Sequence, residues 1–84
     1  MTIFNGSSRN PLPVTQVQGL NGIGACIVPD VKKSDIVVGM YNIATLNSES
    51  SNFETTVSVS GQIQQTTSNN LSGNQYWAFV MAQS

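Results

Sequence analysis

The stretch that decides the fold is Phe53-Glu54-Thr55-Thr56-Val57-Ser58-Val59-Ser60-Gly61-Gln62-Ile63-Gln64. Its apolar residues fall at alternate positions, with Phe53, Val57, Val59 and Ile63 on one side, together with Thr55 and Gly61, and polar side chains on the other. Alternation with a period of two is typical of a β-strand that packs one face against a core. We therefore predict a strand over residues 53–64, with a bulge or a close backbone approach at Gly61.

Four further segments have the pattern of strands when the chain is followed outward from this stretch. The strongest is residues 36–43, which are apolar on both faces and are predicted to form a buried central strand. Residues 23–28 and 76–82 are predicted to form two more strands, and residues 14–18 either a short edge strand or part of an arm. No stretch combines helical periodicity with helix caps. These patterns predict an all-β fold, a small antiparallel β-sandwich or barrel with an irregular N-terminal arm.

The domain organisation follows from length and local composition. A chain of 84 residues is long enough for one domain. Residues 1–20 are weakly apolar, and the prolines of residues 10–13 favour extended or turn conformations. We predict an irregular arm or edge segment over residues 1–20 and a single β domain over residues 21–84.

Neutral polar residues dominate the composition. Ser, Thr, Asn and Gln make up 34 of the 84 residues, whereas only 8% are charged, against a typical value of about 25%. A surface built from neutral groups is buried in an interface at a lower desolvation cost than one rich in Lys and Glu. The composition favours a protein that docks onto other proteins, with sequence drift under weak selection for solubility as the plain alternative.

The charge and hydropathy patterns exclude several kinds of partner. Three basic residues and a formal net charge of −1 do not supply the cationic cluster that nucleic acid requires. No apolar run approaches the ~20 residues of a membrane span, and the N-terminus lacks the regions of a signal peptide. We therefore expect no nucleic-acid partner and no membrane partner. The single cysteine, Cys26, lies in an apolar run and is predicted to be a small buried hydrophobe.

Residues for enzyme chemistry are sparse. The chain has no histidine, so Ser–His and Cys–His pairs and the usual zinc sites cannot form within it. Asp30 and Asp35 flank a predicted turn, and Glu49 and Glu54 flank a predicted loop, so we expect solvated carboxylates at all four positions. The glycines of residues 19–24 lack the spacing of a phosphate-binding loop and predict a tight turn. We predict no catalytic, cofactor-binding or metal-binding residue and no enzyme activity.

The candidate binding residues are aromatic or neutral. Trp77 and Phe79 are predicted to lie in the core, with the alternative that they anchor a partner protein. The polar side of residues 54–64 is either a hydrated face or a contact with another chain, since an uncharged strand is suited to edge-to-edge pairing. An exposed Trp77 or Tyr41 would instead suit the stacking of a glycan.

Two segments carry a resemblance to a known group of proteins. Residues 50–66, Ser-Ser-Asn-Phe-Glu-Thr-Thr-Val-Ser-Val-Ser-Gly-Gln-Ile-Gln-Gln-Thr, resemble a segment of small structural proteins of tailed bacteriophages. Residues 70–76, Asn-Leu-Ser-Gly-Asn-Gln-Tyr, with the apolar residues after them, are similar to the same group. The resemblance covers the chain from residue 50 onward, and it implies a virion component without enzyme activity.

From this resemblance we expect a non-enzymatic virion structural protein, in particular a capsid decoration or cement protein that binds the outer head lattice. Its partners would be the major capsid protein or other virion proteins, with a homo-oligomer as a further possibility, and no cofactor is implied. It would be located in the virion, after assembly in the host cytoplasm. The alternatives are a phage tail or fibre component and a small free-standing binding module.

Overall fold

The structure, a computed structural model, describes residues 14–82. All strand pairs in this range are antiparallel. The elements are β1 (Val14–Gln18), β2 (Gly24–Ile27), β3 (Ile36–Asn42), a 3-10 helix (Ser50–Asn52), β4 (Gln62–Gln65) and β5 (Gln75–Met81). The predicted all-β class is confirmed, and the two antiparallel sheets are consistent with a small β-sandwich.

The two sheets differ in size. The larger sheet has the order β1-β5-β3, so that β5 is hydrogen-bonded on both edges, and the smaller sheet pairs β2 with β4. Residues 14–18, left open between an edge strand and an arm, form β1 at the edge of the larger sheet, where Val14 lies opposite Phe79. Of the arm segment predicted over residues 1–20, residues 1–13 lie outside the described residues.

The strand predicted over residues 36–43 is confirmed as β3. The prediction that it is the buried central strand is wrong. β3 lies at one edge of the larger sheet, and β5 is the central strand. The outer edge of β3 contacts an irregular segment, since Ile36 forms a bridge with Thr56 and Tyr41 forms a bridge with Ser48. Apolar residues on both sides of β3 suggested a strand covered on both sides, whereas one of its sides faces outward.

The continuous strand predicted over residues 53–64 is wrong as well. Only β4 pairs regularly, with β2. The residues before it cross between the sheets: Phe53 forms a bridge with β4, whereas the N–H of Val57 donates to the carbonyl oxygen of Asp35, beside β3, at 2.8 Å. Phe53, Val57 and Ile63 are nevertheless all buried. Thr55 and Val59, on the same predicted face, are exposed, so the period of two corresponds neither to a continuous buried face nor to a single unbroken ladder.

A turn leads from this crossing segment into β4, and Gly61 is needed there for its backbone conformation. Its φ is +84°, a region that residues with a Cβ rarely adopt, and its N–H donates to the carbonyl oxygen of Val31 at 2.9 Å. A Cβ at this position would meet no atom within 4 Å. The bulge or close approach predicted at Gly61 is therefore wrong. The turn predicted around Gly22 is present as a bend over residues 21–23.

The core is apolar and receives side chains from all five strands. Met40, Ile63 and Tyr76 are fully buried, and Phe53 packs edge-on against Tyr76 with the ring centroids 5.2 Å apart. Cys26 is buried as predicted, and this burial raises the pKa of its thiol. The buried apolar set is Val17, Cys26, Val28, Val31, Val37, Met40, Phe53, Val57, Ile63, Leu71, Tyr76, Ala78 and Val80.

Buried polar side chains are hydrogen-bonded to the backbone, as burial in an apolar surrounding requires. Oε1 of Gln65 accepts from the N–H of Leu20 at 2.9 Å, and its Nε2 donates to the carbonyl oxygen of Asn69 at 2.9 Å. Asp35 is only 1% exposed, and its Oδ2 accepts from the backbone N–H of Lys32 at 2.9 Å. The prediction of a solvated carboxylate is wrong for Asp35, because this side chain closes the turn before β3.

Glu49 is half-buried, so the prediction of a solvated carboxylate is wrong here too. Its Oε1 accepts from the hydroxyl of Tyr76 at 2.8 Å, and its Oε2 accepts from Nδ2 of Asn42 at 3.3 Å. Burial, together with the hydrogen bond to Glu49, raises the pKa of Tyr76 to about 12. This pair joins the loop before the 3-10 helix to the central strand.

We expect the free energy of unfolding to fall between about pH 10 and pH 12, because the Tyr76 phenol ionises near 10 in the unfolded chain and only near 12 in the folded one. Below pH 10 both states hold this proton, so the contribution is fully present there. Tyr76→Phe should abolish this part of the alkaline loss and lower the free energy of unfolding at neutral pH by about 1–3 kcal/mol. Denaturation in urea over a pH series measures both effects. Tyr41→Phe is the matched control, and an alkaline loss that is the same in both variants would contradict the assignment.

Candidate functional site

The outer face of the larger sheet is apolar. Side chains of β5 alternate between the core and the outside, which leaves Trp77 exposed at 37%. The register places Tyr41 opposite Trp77 and Val14 opposite Phe79, and side chains directly opposite on antiparallel strands share a face. We call this surface the apolar face, and it consists of Val14, Val38, Tyr41, Leu46, Trp77, Phe79 and Met81.

A shallow hollow lies within the apolar face. Its volume is about 430 Å³, within the range of sites that accept small ligands or side chains. The rings of Tyr41 and Phe79 meet edge to face in its wall, with the centroids 5.7 Å apart and an interplanar angle of 90°. The lining residues are Val38, Gly39, Tyr41, Leu46, Trp77 and Phe79. A hollow of this composition suits an apolar side chain.

An irregularity in β3 shapes this hollow. The pairing of β3 with β5 shifts by one residue between Val37 and Gly39, so Val38 is an extra residue in the ladder. A bulge of this kind changes the direction of nearby side chains, and Val38 is 57% exposed. Gly39 leaves room for the neighbouring ring, since a Cβ there would lie 2.9 Å from Cε1 of Tyr41.

Leu46 lies at the hollow in a strained backbone conformation. Its φ is +62°, which costs a residue with a Cβ about 1 kcal/mol, and its side chain is 70% exposed. Asn42 holds this loop: its Oδ1 accepts from the N–H of Ala44 at 2.8 Å and of Thr45 at 3.1 Å, and its carbonyl oxygen accepts from the N–H of Leu46 at 2.7 Å. Backbone strain of this kind is concentrated at functional sites. The loop therefore presents an apolar side chain to the outside at an energetic cost.

Amide side chains border the apolar face along β1. Gln16 and Gln75 are hydrogen-bonded to each other, and Nε2 of Gln75 donates to Oε1 of Gln18 at 3.2 Å. Nε2 of Gln18 donates to the carbonyl oxygen of Ser72 at 2.8 Å. The strands β1, β3 and β5 contain no charged residue. An apolar centre with a neutral polar border is similar in composition to protein interfaces, whose cores are depleted of charged residues.

The aromatic residues considered in the sequence lie on this face. Trp77 is exposed and Phe79 is half-buried, so the prediction that both lie in the core is wrong, and their role as anchors for a partner stays a prediction. Tyr41, the other candidate for stacking, is 39% exposed beside Trp77. The polar side of residues 54–64 is not a continuous strand face, and none of its residues lines the hollow.

Neither Val38 nor Leu46 was predicted from sequence as a binding residue. Gly39 is the one signal that points to Val38, because a glycine inside an apolar strand often marks a bulge. No local signal points to Leu46, since its exposure and positive φ result from the loop that Asn42 holds.

Metal-binding clusters and membrane-spanning helices are absent from residues 14–82. Within this range there is no cluster of three or more Asp, Glu, Cys and His side chains arranged to bind a metal ion. The same residues include no helix with the length and apolarity that crossing a bilayer demands. A second depression, of about 240 Å³, lies beside residues 42–44 and 73–75 and has a more polar lining.

Leu46→Asn should raise the free energy of unfolding by about 0.5–1 kcal/mol, because asparagine tolerates positive φ better and an exposed leucine loses little burial. Chemical denaturation of the two chains measures the difference. Leu46→Ala is the matched control, since it keeps the strain, and it should stay within about 0.5 kcal/mol of the wild type. A loss of stability in Leu46→Asn would show that the leucine is held by contacts rather than strained.

The chain was compared with protein-family models, curated protein sequences and solved structures, and no match was found in any of the three. A function for the apolar face is therefore inferred from its geometry and chemistry and from the sequence.

Proposed function

We propose that this chain is a non-enzymatic structural protein of a virus particle, a capsid decoration or cement protein that binds the outer lattice of the head. Its partners would be the major capsid protein or other virion proteins, and its location would be the virion, after assembly in the host cytoplasm. The observation that carries the proposal is the apolar face, a continuous surface without charge on a chain of only 84 residues.

The size of this surface supports a binding function. Six of its side chains are between 37% and 70% exposed, which amounts to roughly 500–600 Å² of apolar surface, at the upper end for the largest patch on a soluble monomer. Exposed apolar surface of this extent marks binding sites or promotes aggregation. The strained Leu46 and the bulge at Val38 enlarge it, which favours a binding site.

The chemistry of the chain supports a role without catalysis. The sequence has no histidine, which is the commonest general base. Its one thiol, Cys26, is buried, and burial raises its pKa, so the reactive thiolate is disfavoured. The likeness of residues 50–66 to small phage structural proteins supports the more specific assignment to a virion.

We expect the chain to migrate with virus particles when a lysate of the source system is separated on a density gradient. Mass spectrometry would follow the 9.0 kDa chain, at high copy with full and empty heads if it is a decoration protein. Purified particles lacking the chain should bind added wild type and bind Trp77→Ser at least about tenfold more weakly, because central aromatic anchors dominate binding energy. Ile27→Ser is the control, since Ile27 is exposed on the smaller sheet. Recovery of the chain in the soluble fractions alone would overturn the virion proposal, and low-copy migration with tails would favour a tail or fibre component.

A free-standing glycan-binding module is the second candidate, because Tyr41 and Trp77 are exposed side by side. Aromatic faces of this kind can stack on sugar rings. Trp77 is the only tryptophan of the chain, so its fluorescence would report binding directly. We expect no change in Trp77 emission across a broad panel of oligosaccharides, since the hollow beside it is almost wholly apolar. Saturable quenching that Tyr41→Ala abolishes would instead establish the glycan-binding function.

A further inference from the structure

We infer that the apolar face binds the same face of a second copy of this chain, so that two β1-β5-β3 sheets pack face to face about a two-fold axis. This inference rests on the proposed function and makes a second copy, in place of the capsid protein itself, the occupant of the apolar face, so that Trp77→Ser would weaken particle binding through loss of the dimer. The unit that attaches to the particle would then be a dimer.

The first line of support is that β3 and β5 are apolar on both of their sides. On β5, Tyr76 and Val80 enter the core, while Trp77 and Met81 face outward. An antiparallel sheet with one face in solvent usually carries polar side chains on that face, and apolar residues on both faces are typical of sheets covered on both. Within residues 14–82 only the inner face is covered, so the apolar outer face is open to a second layer. Another sheet packed at about 10 Å is the usual cover for an antiparallel sheet.

The second line of support is the charge of the face. A two-fold interface packs one surface against its own copy, so a face with a net charge repels its copy. The strands β1, β3 and β5 carry no charge, and no repulsion opposes the pairing. A partner with a strongly charged surface would leave its own charges buried without counter-ions here, at considerable cost. The face is thus compatible with itself and unfavourable for a charged partner.

The third line of support is the area available. With roughly 500–600 Å² of apolar surface on each copy, a pair would bury about 1,000–1,200 Å², at the lower limit for a specific interface. The shape also suits self-association, because the same face carries a projecting side chain, Leu46, and a hollow of about 430 Å³. In a two-fold arrangement each copy offers both features to the other.

Sedimentation velocity and light scattering of the full chain, from about 1 µM to 1 mM, test the inference directly. We expect the mass to rise with concentration from 9.0 kDa to twice that value. Trp77→Ser and Leu46→Asn should each weaken the association at least about tenfold. Circular dichroism checks that the variants fold. If Trp77→Ser does not fold, Leu46→Asn alone tests the interface. Ile27→Ser, exposed on the other sheet, should associate like the wild type.

A mass of 9.0 kDa at every concentration would overturn the inference. So would a trimer or larger species, or an association that Trp77→Ser and Leu46→Asn leave unchanged. Particle binding separates this inference from the proposed function. If the chain is monomeric and binds particles through Trp77, the dimer is overturned and a virion protein contacts the apolar face directly. If the chain is dimeric and never binds particles, only the virion role is overturned.

Discussion

The pairing of β5 on both of its edges is the constraint on which the rest of the structure depends. It sets which side chains of β1 and β3 stand beside those of β5, and the period of two then sends alternate side chains to opposite faces. Tyr76 and Val80 enter the core, so Trp77 and Met81 must face outward. A register shift of one residue would exchange the two sets. The apolar face is therefore a consequence of how the core is filled.

The rest of residues 14–82 covers only the inner face of this sheet. The smaller sheet and the crossing segment supply Ile63 and Phe53 to the core, and the hydrogen bond between Tyr76 and Glu49 fixes a connecting loop to the central strand. On the outside, the bulge at Val38 and the strained loop at Leu46 enlarge the apolar surface. The strain at Leu46 lowers the stability of the isolated chain, a cost that the proposed binding function of the face would offset.

The strands were predictable from sequence because alternation and apolar runs are local properties. Their partners were not, since the edge position of β3 and the crossing before β4 depend on contacts distant in the chain. Trp77 shows the same limit within the site. Both sides of β5 are apolar, so its own sequence does not tell which side enters the core. Tyr76 does so because its hydroxyl finds Glu49 there, and a buried hydroxyl needs such a partner.

The central claim, that the apolar face is a protein-binding surface, is tested most directly by hydroxyl-radical footprinting read by mass spectrometry. Trp77 and Met81 are exposed reactive side chains on the face, and Met40 is a buried reference. The dilute free chain would be compared with the same chain in its assembled, particle-bound form. We predict that labelling of Trp77 and Met81 falls severalfold on assembly while Ile27, on the other sheet, keeps its reactivity. Equal labelling of Trp77 and Met81 in the two states would contradict the claim.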